Sequence, residues 1–504
     1  MSRVFNLLQE NRCLLFVSFL SLLLKLLFLI QGEVVNSDAG TYVAAADWHS
    51  QGLFQEGLRH YRMPLYPLLL AGTHIVVPDW ILAGRFVSIS SLLLCLFPLY
   101  GITKRLFCRS AALWAACLFA VLPVFNESAM DIKRDPLFLF FTLCGLWLLV
   151  VFAQENRFRF FSGFLAFATL ATLTRIEGCL LFFIAPISLL LSLRNNTVGR
   201  RKKIVGGAIS AAVVVASVLV ASAAGVTKNL RINELSIWFD GLLSFKFFKS
   251  YQDLLQALKE LQMTLPGARY SNNLLEVTRH YAPLVYCLGL LETLLKAIFP
   301  TSLLALWALR WRNSDEKKMT RERWLIMLIW VGFALLNLLF LFKRNFIQER
   351  YFWIPIVLTL PWVGYGINLW WQRRRKKIVS TFAVVLILLS PLAKSVAVAV
   401  EPEDKSLIKA AHWLRQYDQE RKAKILYNDR RLPLYANRIS EVVYVREYKT
   451  AEDLTSLRRA INKFDFAILY FSRKKIEGID FQGFDVFKKF QGDEKVVFFL
   501  TINQ

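Results

Sequence analysis

Apolar runs close to twenty residues long recur from residue 13 to residue 400, and most carry no charge through their middle. A helix of about 20 residues spans the roughly 30 Å of bilayer hydrocarbon, so this pattern leaves few folds open. The chain is expected to be a polytopic α-helical membrane protein. Composition agrees, because 56% of the residues are hydrophobic, against about 45–50% in soluble domains. The runs at 13–30, 82–103, 110–125, 136–153, 160–174, 178–193, 204–223, 284–309, 324–342, 351–371 and 378–400 predict eleven spans. The run at 64–77 falls short of a spanning length and predicts an interfacial or re-entrant helix.

Charge supports this count independently. The formal net charge of +25 would suggest nucleic acid in a soluble protein, but here the basic residues gather in short loops between apolar runs. With the N-terminus in the cytoplasm and an uncleaved first helix, the dense basic runs RNNTVGRRKK (194–203), RWRNSDEKKMTRER (310–323) and QRRRKK (372–377) share one side. Residues 401–504, the loop after the first span, and the loops at 126–135, 174–178, 224–283 and 342–350 then face the external compartment. All seven cysteines lie in or beside apolar segments, none after Cys287, and there is no CxxC pair, so no disulfide framework or zinc site is expected.

The chain divides into a membrane core, 1–400, and a more polar tail, 401–504. In the tail the strand-like runs AKILYN (423–428), EVVYV (441–445), DFAILYF (465–471) and KVVFFLTI (495–502) alternate with helical stretches at 404–417 and 451–462. This predicts a small external α/β domain. Neither GxGxxG nor GxxxxGK[ST] occurs, so a soluble nucleotide-driven mechanism has no support.

Chemistry concentrates in the external loop 31–81. Asp38 sits within a few residues of the first span, among aromatics, Arg62 and two prolines. An ionisable group at a membrane boundary reads as a functional site or as a group solvated by headgroups. Ser37-Asp38 also reads as the N-cap of the helix carrying Tyr42. In NESAMDIKRDPLFLF, Glu127, Asp131 and Asp135 are further candidate acids; Asp135 before Pro136 is equally an ordinary helix start, and Lys133 and Arg134 beside it suit ion pairing or phosphate.

The order DxxxYxxAA (Asp38, Tyr42, Ala45, Ala46), RMPLYPLLLAG, an Arg85-led span, RDPLFLFF, LTRIEG and RYFWIPIVLTLP resembles the GT-C glycosyltransferases of the protein-mannosyltransferase and aminoarabinose-transferase type. The resemblance is to bacterial members with a small C-terminal external domain, and it covers most of residues 1–400. It implies a GT-C membrane fold in the plasma membrane and transfer of a sugar from a polyprenyl-phosphate donor to a lipid, glycan or protein acceptor on the external face. Nucleic acid is not expected as a partner. A divalent cation is left open, because GT-C enzymes differ in using one, and the scattered histidines, with no HxxxH or HExxH, give no protein-held metal set.

The resemblance also implies roles. Asp38 matches the family's catalytic first-loop acid, a base or orienting group for the acceptor hydroxyl, and a single displacement would invert the sugar. Asp135, ahead of Asp131, matches its second acid. A donor phosphate itself requires cations, and Arg62, Arg85, Arg175, Lys343, Arg344 and Arg350 lie at the external membrane boundary, Arg175 and Arg350 inside the family-like motifs; snorkelling to headgroups is the alternative for any single one. Glu177 is a further substrate-binding candidate, or a structural ion-pair partner of Arg175. Tyr42, Tyr66 and Tyr351 suit sugar or isoprenoid contact, or an interfacial aromatic belt. The segment 224–283 has amphipathic helical periodicity, as a lid over the donor or as a plain surface helix. The alternative function is a transporter or flippase of a lipid-linked sugar.

Overall fold

The structure, a computed structural model, describes residues 12–32, 34–193, 241, 244, 246–264, 269–298, 320–346, 348–373, 377–401, 403–444, 463–476 and 484–502. Five helices among them are long and apolar enough to cross a membrane: Arg12–Ile30, Trp80–Leu106, Asp135–Glu155, Arg321–Arg344 and Glu349–Gln372. A sixth arises if Arg109–Val121 and Pro123–Ala129, bent by 60°, form one broken span. The break has a local cause: Leu122 precedes a proline and takes an extended conformation, φ −66° and ψ 126°. The expected span at 204–223 and much of that at 284–309 lie outside the described residues, as does the expected helix at 451–462.

The chain forms two compact units. One comprises Met1–Leu22, Ser91–Asn126 and Leu137–Ser395. Its tightest crossing joins Arg109–Val121 to Trp353–Arg373, where Ala111, Ala112, Ala115 and Ala116 are fully buried. A Cβ at Gly364 would meet the Ala111 carbonyl oxygen at 2.4 Å and the Ala115 nitrogen at 2.9 Å. Small residues on both helices let the backbones approach this closely, which is how helices gain packing energy without a hydrophobic driving force between them. Phe119, Phe125, Phe152, Phe164 and Phe352 fill the core around this pair. The segments Phe158–Thr174 and Leu180–Leu193 are each shorter than a full span, because Arg175 is extended and Ile176–Cys179 is a 3-10 turn.

The other unit comprises Leu23–Ser90, Glu127–Pro136 and Val396–Gln504. Its N-terminal part holds the helices Ala39–Ser50, Phe54–His60 and Leu65–Val76; the last is the expected short apolar helix, with Ile75 and Val76 over 80% exposed. Its C-terminal part is a four-stranded sheet of β1 (Ile425–Tyr427), β2 (Phe466–Ser472), β3 (Phe484–Gln491) and β4 (Lys495–Ile502), in the order β1-β2-β4-β3. β1 and β2 are parallel and the other pairs antiparallel. The helix Ser406–Tyr417 lays Leu407, Ala410, Ala411 and Leu414, a helical stripe, against Ile425, Tyr427, Phe466, Ile468, Val497 and Phe499. Leu426, Ala467, Leu469, Phe498 and Leu500 form a second core.

Two elements differ from expectation. EVVYV (441–445) forms no strand over its described part; Ile439–Tyr444 is a 3-10 helix, held because Glu441 accepts from Arg438 Nε and Tyr427 Oη, both at 2.6 Å. β3 was not foreseen because a register shift at Val486/Lys488 breaks its alternation, the mark of a bulged edge strand.

Candidate active site

The two acid-bearing loops of the second unit are stitched together by one residue. Asn36 donates its backbone N–H to Asp131 Oδ1 (3.0 Å) and accepts the Ile132 N–H on its own Oδ1 (3.1 Å). Ser88 Oγ donates to the Asp131 carbonyl at 2.7 Å, and Arg85 Nε donates to the Met130 carbonyl at 2.8 Å. A Cβ at Gly32 would meet Met130 Sδ at 2.5 Å, so the first loop also runs hard against the second. These contacts join Gly32 and Asn36 of the first loop to Met130, Asp131 and Ile132 of the second.

Within it the acids separate. Asp131 is 8% exposed and engaged on both oxygens, with Lys133 Nζ paired to Oδ2. Asp135, 2% exposed, opens the helix Asp135–Glu155. Asp38 stands at the N-cap of Ala39–Ser50 with helical φ and ψ and makes no side-chain cap hydrogen bond. The cap explanation of Asp38 therefore fails on geometry.

Three tyrosines pack beside the acids. Tyr42 lies edge-on to Tyr61 (4.9 Å between ring centres) and to Tyr66 (5.1 Å). Arg134 donates to Tyr61 Oη and sits 5.4 Å from that ring. Burial holds the Tyr42 phenol well above its ordinary pKa; Tyr61, Asp38 and Asp135 add to the shift, while Arg134 opposes it. Tyr42 is thus a protonated donor at neutral pH, within electrostatic reach of both acids. Arg85 is buried with one nitrogen given to backbone, whereas Arg62 is exposed.

His49 is 5% exposed against Phe54 and Gly57, and burial pushes its pKa down, so it is a neutral histidine in the packing of its helix. Among the described residues no group of three or more His, Cys, Asp or Glu is placed to hold a metal ion. Asp131 is paired with Lys133.

The first unit holds a second cluster. Arg175, 4% exposed, pairs with Glu177 through Nη2–Oε1 (2.7 Å) and Nε–Oε2 (3.3 Å), which bears out their reading as ion-pair partners. Its guanidinium lies 5.5 Å from the rings of both Phe138 and Tyr351, and that of Arg350 lies 5.6 Å from Tyr351. Tyr351 stacks on Phe340, and Asn337 Nδ2 donates to the Tyr351 carbonyl at 3.0 Å. Gly178 closes LTRIEG because a Cβ there would meet the Thr172 nitrogen at 2.5 Å. Arg344 is exposed, 5.9 Å from the Phe340 ring. The expected residues thus fall into two groups: Asp38, Tyr42, Tyr66, Arg85, Asp131 and Asp135 in one unit, and Arg175, Glu177, Arg350 and Tyr351 in the other. Missed by the sequence were the residues of the C-terminal domain that grip the Asp38 loop, described below.

Asp131 and Asp135 stand at the head of an apolar helix, in keeping with the GT-C resemblance read from the motifs. Comparison with known proteins agrees. The profile of the family described as dolichyl-phosphate-mannose-protein mannosyltransferase matches residues 62–220. The structure is similar to ArnT from Cupriavidus metallidurans bound to undecaprenyl phosphate, with 12% identity, a TM-score of 0.55, and coverage of 97% of this chain and 98% of that one. It is also similar to the archaeal oligosaccharyltransferase AglB from Archaeoglobus fulgidus in complex with an inhibitory peptide and a dolichol-phosphate, with 11% identity, a TM-score of 0.55, and coverage of 92% and 70%. No curated protein sequence matches the chain. The resemblance read from the motifs is borne out: this is a multi-pass membrane protein with the GT-C glycosyltransferase fold.

Proposed function

We propose that the protein transfers a hexose or pentose from a polyprenyl-phosphate donor to a lipid, glycan or protein acceptor at the external face of the plasma membrane, with inversion at the sugar. The observation that carries this reading is the joining of the Asp38 and Asp135 loops through Asn36, with Tyr42 in electrostatic reach of Asp38, Asp135 and Arg134. The polyprenyl phosphates named in the similar ArnT and AglB structures support the donor class. Asp38 accepts the proton of the acceptor hydroxyl as that oxygen attacks the anomeric carbon. The bond from that carbon to the phosphate oxygen breaks on the opposite face, and the carrier leaves as polyprenyl phosphate. Asp135 orients the sugar or acceptor, Tyr42 donates a hydrogen bond, and Arg134, with Arg62 as a further candidate, neutralises the phosphate. Placing the C-terminal domain externally, with the N-terminus cytoplasmic, follows from the basic loops and keeps these groups on the acceptor's side.

The reading is tested on protein in lipid nanodiscs, given a panel of polyprenyl-phosphate sugars and a membrane extract as acceptor. Release of free polyprenyl phosphate together with a product of inverted anomeric configuration supports it. Passage of labelled lipid-linked sugar across the bilayer with no carrier release would replace it with the exporter.

A further inference from the structure

The loop that carries Asp38 is gripped by residues some 400 positions later. Val34 N–H donates to Glu403 Oε2 at 2.8 Å, Val35 N–H donates to Tyr435 Oη at 2.7 Å, and Arg430 Nη1 donates to Thr41 Oγ1 at 2.7 Å. Arg431, locked by its two-pronged pair with Asp429 (2.9 and 2.7 Å), reaches the Val35 carbonyl at 3.5 Å. At Gly40 a Cβ would meet the Arg430 carbonyl oxygen at 2.3 Å, so the helix start and the C-terminal domain touch backbone to backbone. These anchors fall on both sides of Asp38. The backbone position from which the Asp38 side chain projects is therefore set by the contacts that hold residues 34, 35, 40 and 41.

We propose that Glu403, Arg430 and Tyr435 are positioning residues for sugar transfer, so that the C-terminal domain is part of the catalytic apparatus; this rests on the reading of Asp38 as the reacting carboxylate. A reacting group must be held to a fraction of an ångström, and misplacement by about 1 Å costs up to about 10²-fold in rate. Tyr435 and Glu403 each satisfy a backbone N–H in the turn leading to Asp38, while Arg430 sets the first turn of the helix that follows it. All three contacts would be absent from a chain ending at residue 400.

The test uses the full chain in nanodiscs and the variants Tyr435→Phe, Glu403→Ala, Glu403→Gln and Asp38→Asn, with steady-state transfer, binding of polyprenyl phosphate, and hydrogen exchange over residues 34–46. The expected result is a fall in kcat of about tenfold to 10²-fold for Tyr435→Phe and Glu403→Ala, with donor KM and carrier binding within about twofold of wild type. Exchange at 34–46 rises in the same two variants while 353–373 stays protected, and Glu403→Gln, which keeps an acceptor, recovers most of the rate. Wild-type kcat in the folded Tyr435→Phe and Glu403→Ala proteins, whatever their stability, overturns the proposal. If Asp38→Asn also turns over at the wild-type rate, the fault lies in the reading of Asp38; if Asp38→Asn alone is inactive, only the positioning role falls.

Discussion

Asp131 and Asp135 lie four residues apart, and the structure assigns them opposite consequences when changed. In Asp131→Ala the Asn36 N–H loses its acceptor, and Lys133, whose side chain is only 19% exposed, loses its counter-charge. An unsatisfied buried donor costs about 1–3 kcal/mol, and breaking a buried pair by removing one partner costs about 3–5 kcal/mol. The two overlap in one side chain, and the pair is partly solvated, so about 3 kcal/mol is the expected loss. Asp131→Asn keeps an acceptor for Asn36 and should recover part of it. Asp135→Asn, a near-isosteric change at the start of the helix Asp135–Glu155, should cost less stability than Asp131→Ala yet lower kcat by about 10²-fold, as expected for loss of a reacting acid. Thermal unfolding in detergent, read beside carrier release in nanodiscs, separates the effects. A stable, inactive Asp131→Asn beside an active Asp135→Asn would refute the assignment.

Three further outcomes follow from other parts of the molecule. Gly364→Leu forces a side chain into the Ala111 backbone, so the protein should express poorly or unfold early, by more than the roughly 1–3 kcal/mol usual for overpacking; size-exclusion and melting profiles check it. Glu177→Ala strands the buried Arg175 and should cost about 3–5 kcal/mol, whereas Arg175→Met with Glu177→Gln should fold better than either alone; melting temperatures of the three decide it. Burial alone would raise the Asp418 carboxyl, but Arg438 and the N–H groups of Ala423 and Lys422 outweigh it and hold it below the usual carboxylate range. A depressed folded pKa adds stability that is complete above the unfolded value near about 3.9 and is lost as pH falls through the folded one. The protection of amides 418–427, corrected for their intrinsic exchange at each pH, should therefore stay flat from neutral pH down to about 4 and fall below it, and Asp418→Asn should remove that dependence.

Much of this was legible along the chain because it is written locally. Five of the apolar runs hold helices long and apolar enough to span, the short run at 64–77 becomes the helix Leu65–Val76, and three of the four strand-like runs hold strands. Asp38 and Asp135 could be singled out because each stands where an apolar segment meets a polar loop. The roles of their neighbours could not be read the same way. Asp131 and Asp135 look alike in sequence, and only the Asn36 and Lys133 contacts set them apart. The grip of Glu403, Arg430 and Tyr435 on the Asp38 loop spans sequence separations of 369 to 400 residues, and no periodicity encodes it. EVVYV failed as a strand for a similar reason, since the side chain of Glu441 is committed to Arg438 and Tyr427. Composition reports the backbone's preferences; partners brought from far along the chain decide the rest.

The central claim is that the Asp38 carboxylate takes part in the transfer step. Single-turnover release of polyprenyl phosphate from a bound donor, compared between wild type and Asp38→Asn at matched donor occupancy, tests it most directly. The account predicts a loss of about 10²–10⁴-fold in the rate with donor binding intact, the range for removing a general base. Carrier release by folded Asp38→Asn at the wild-type rate would contradict it.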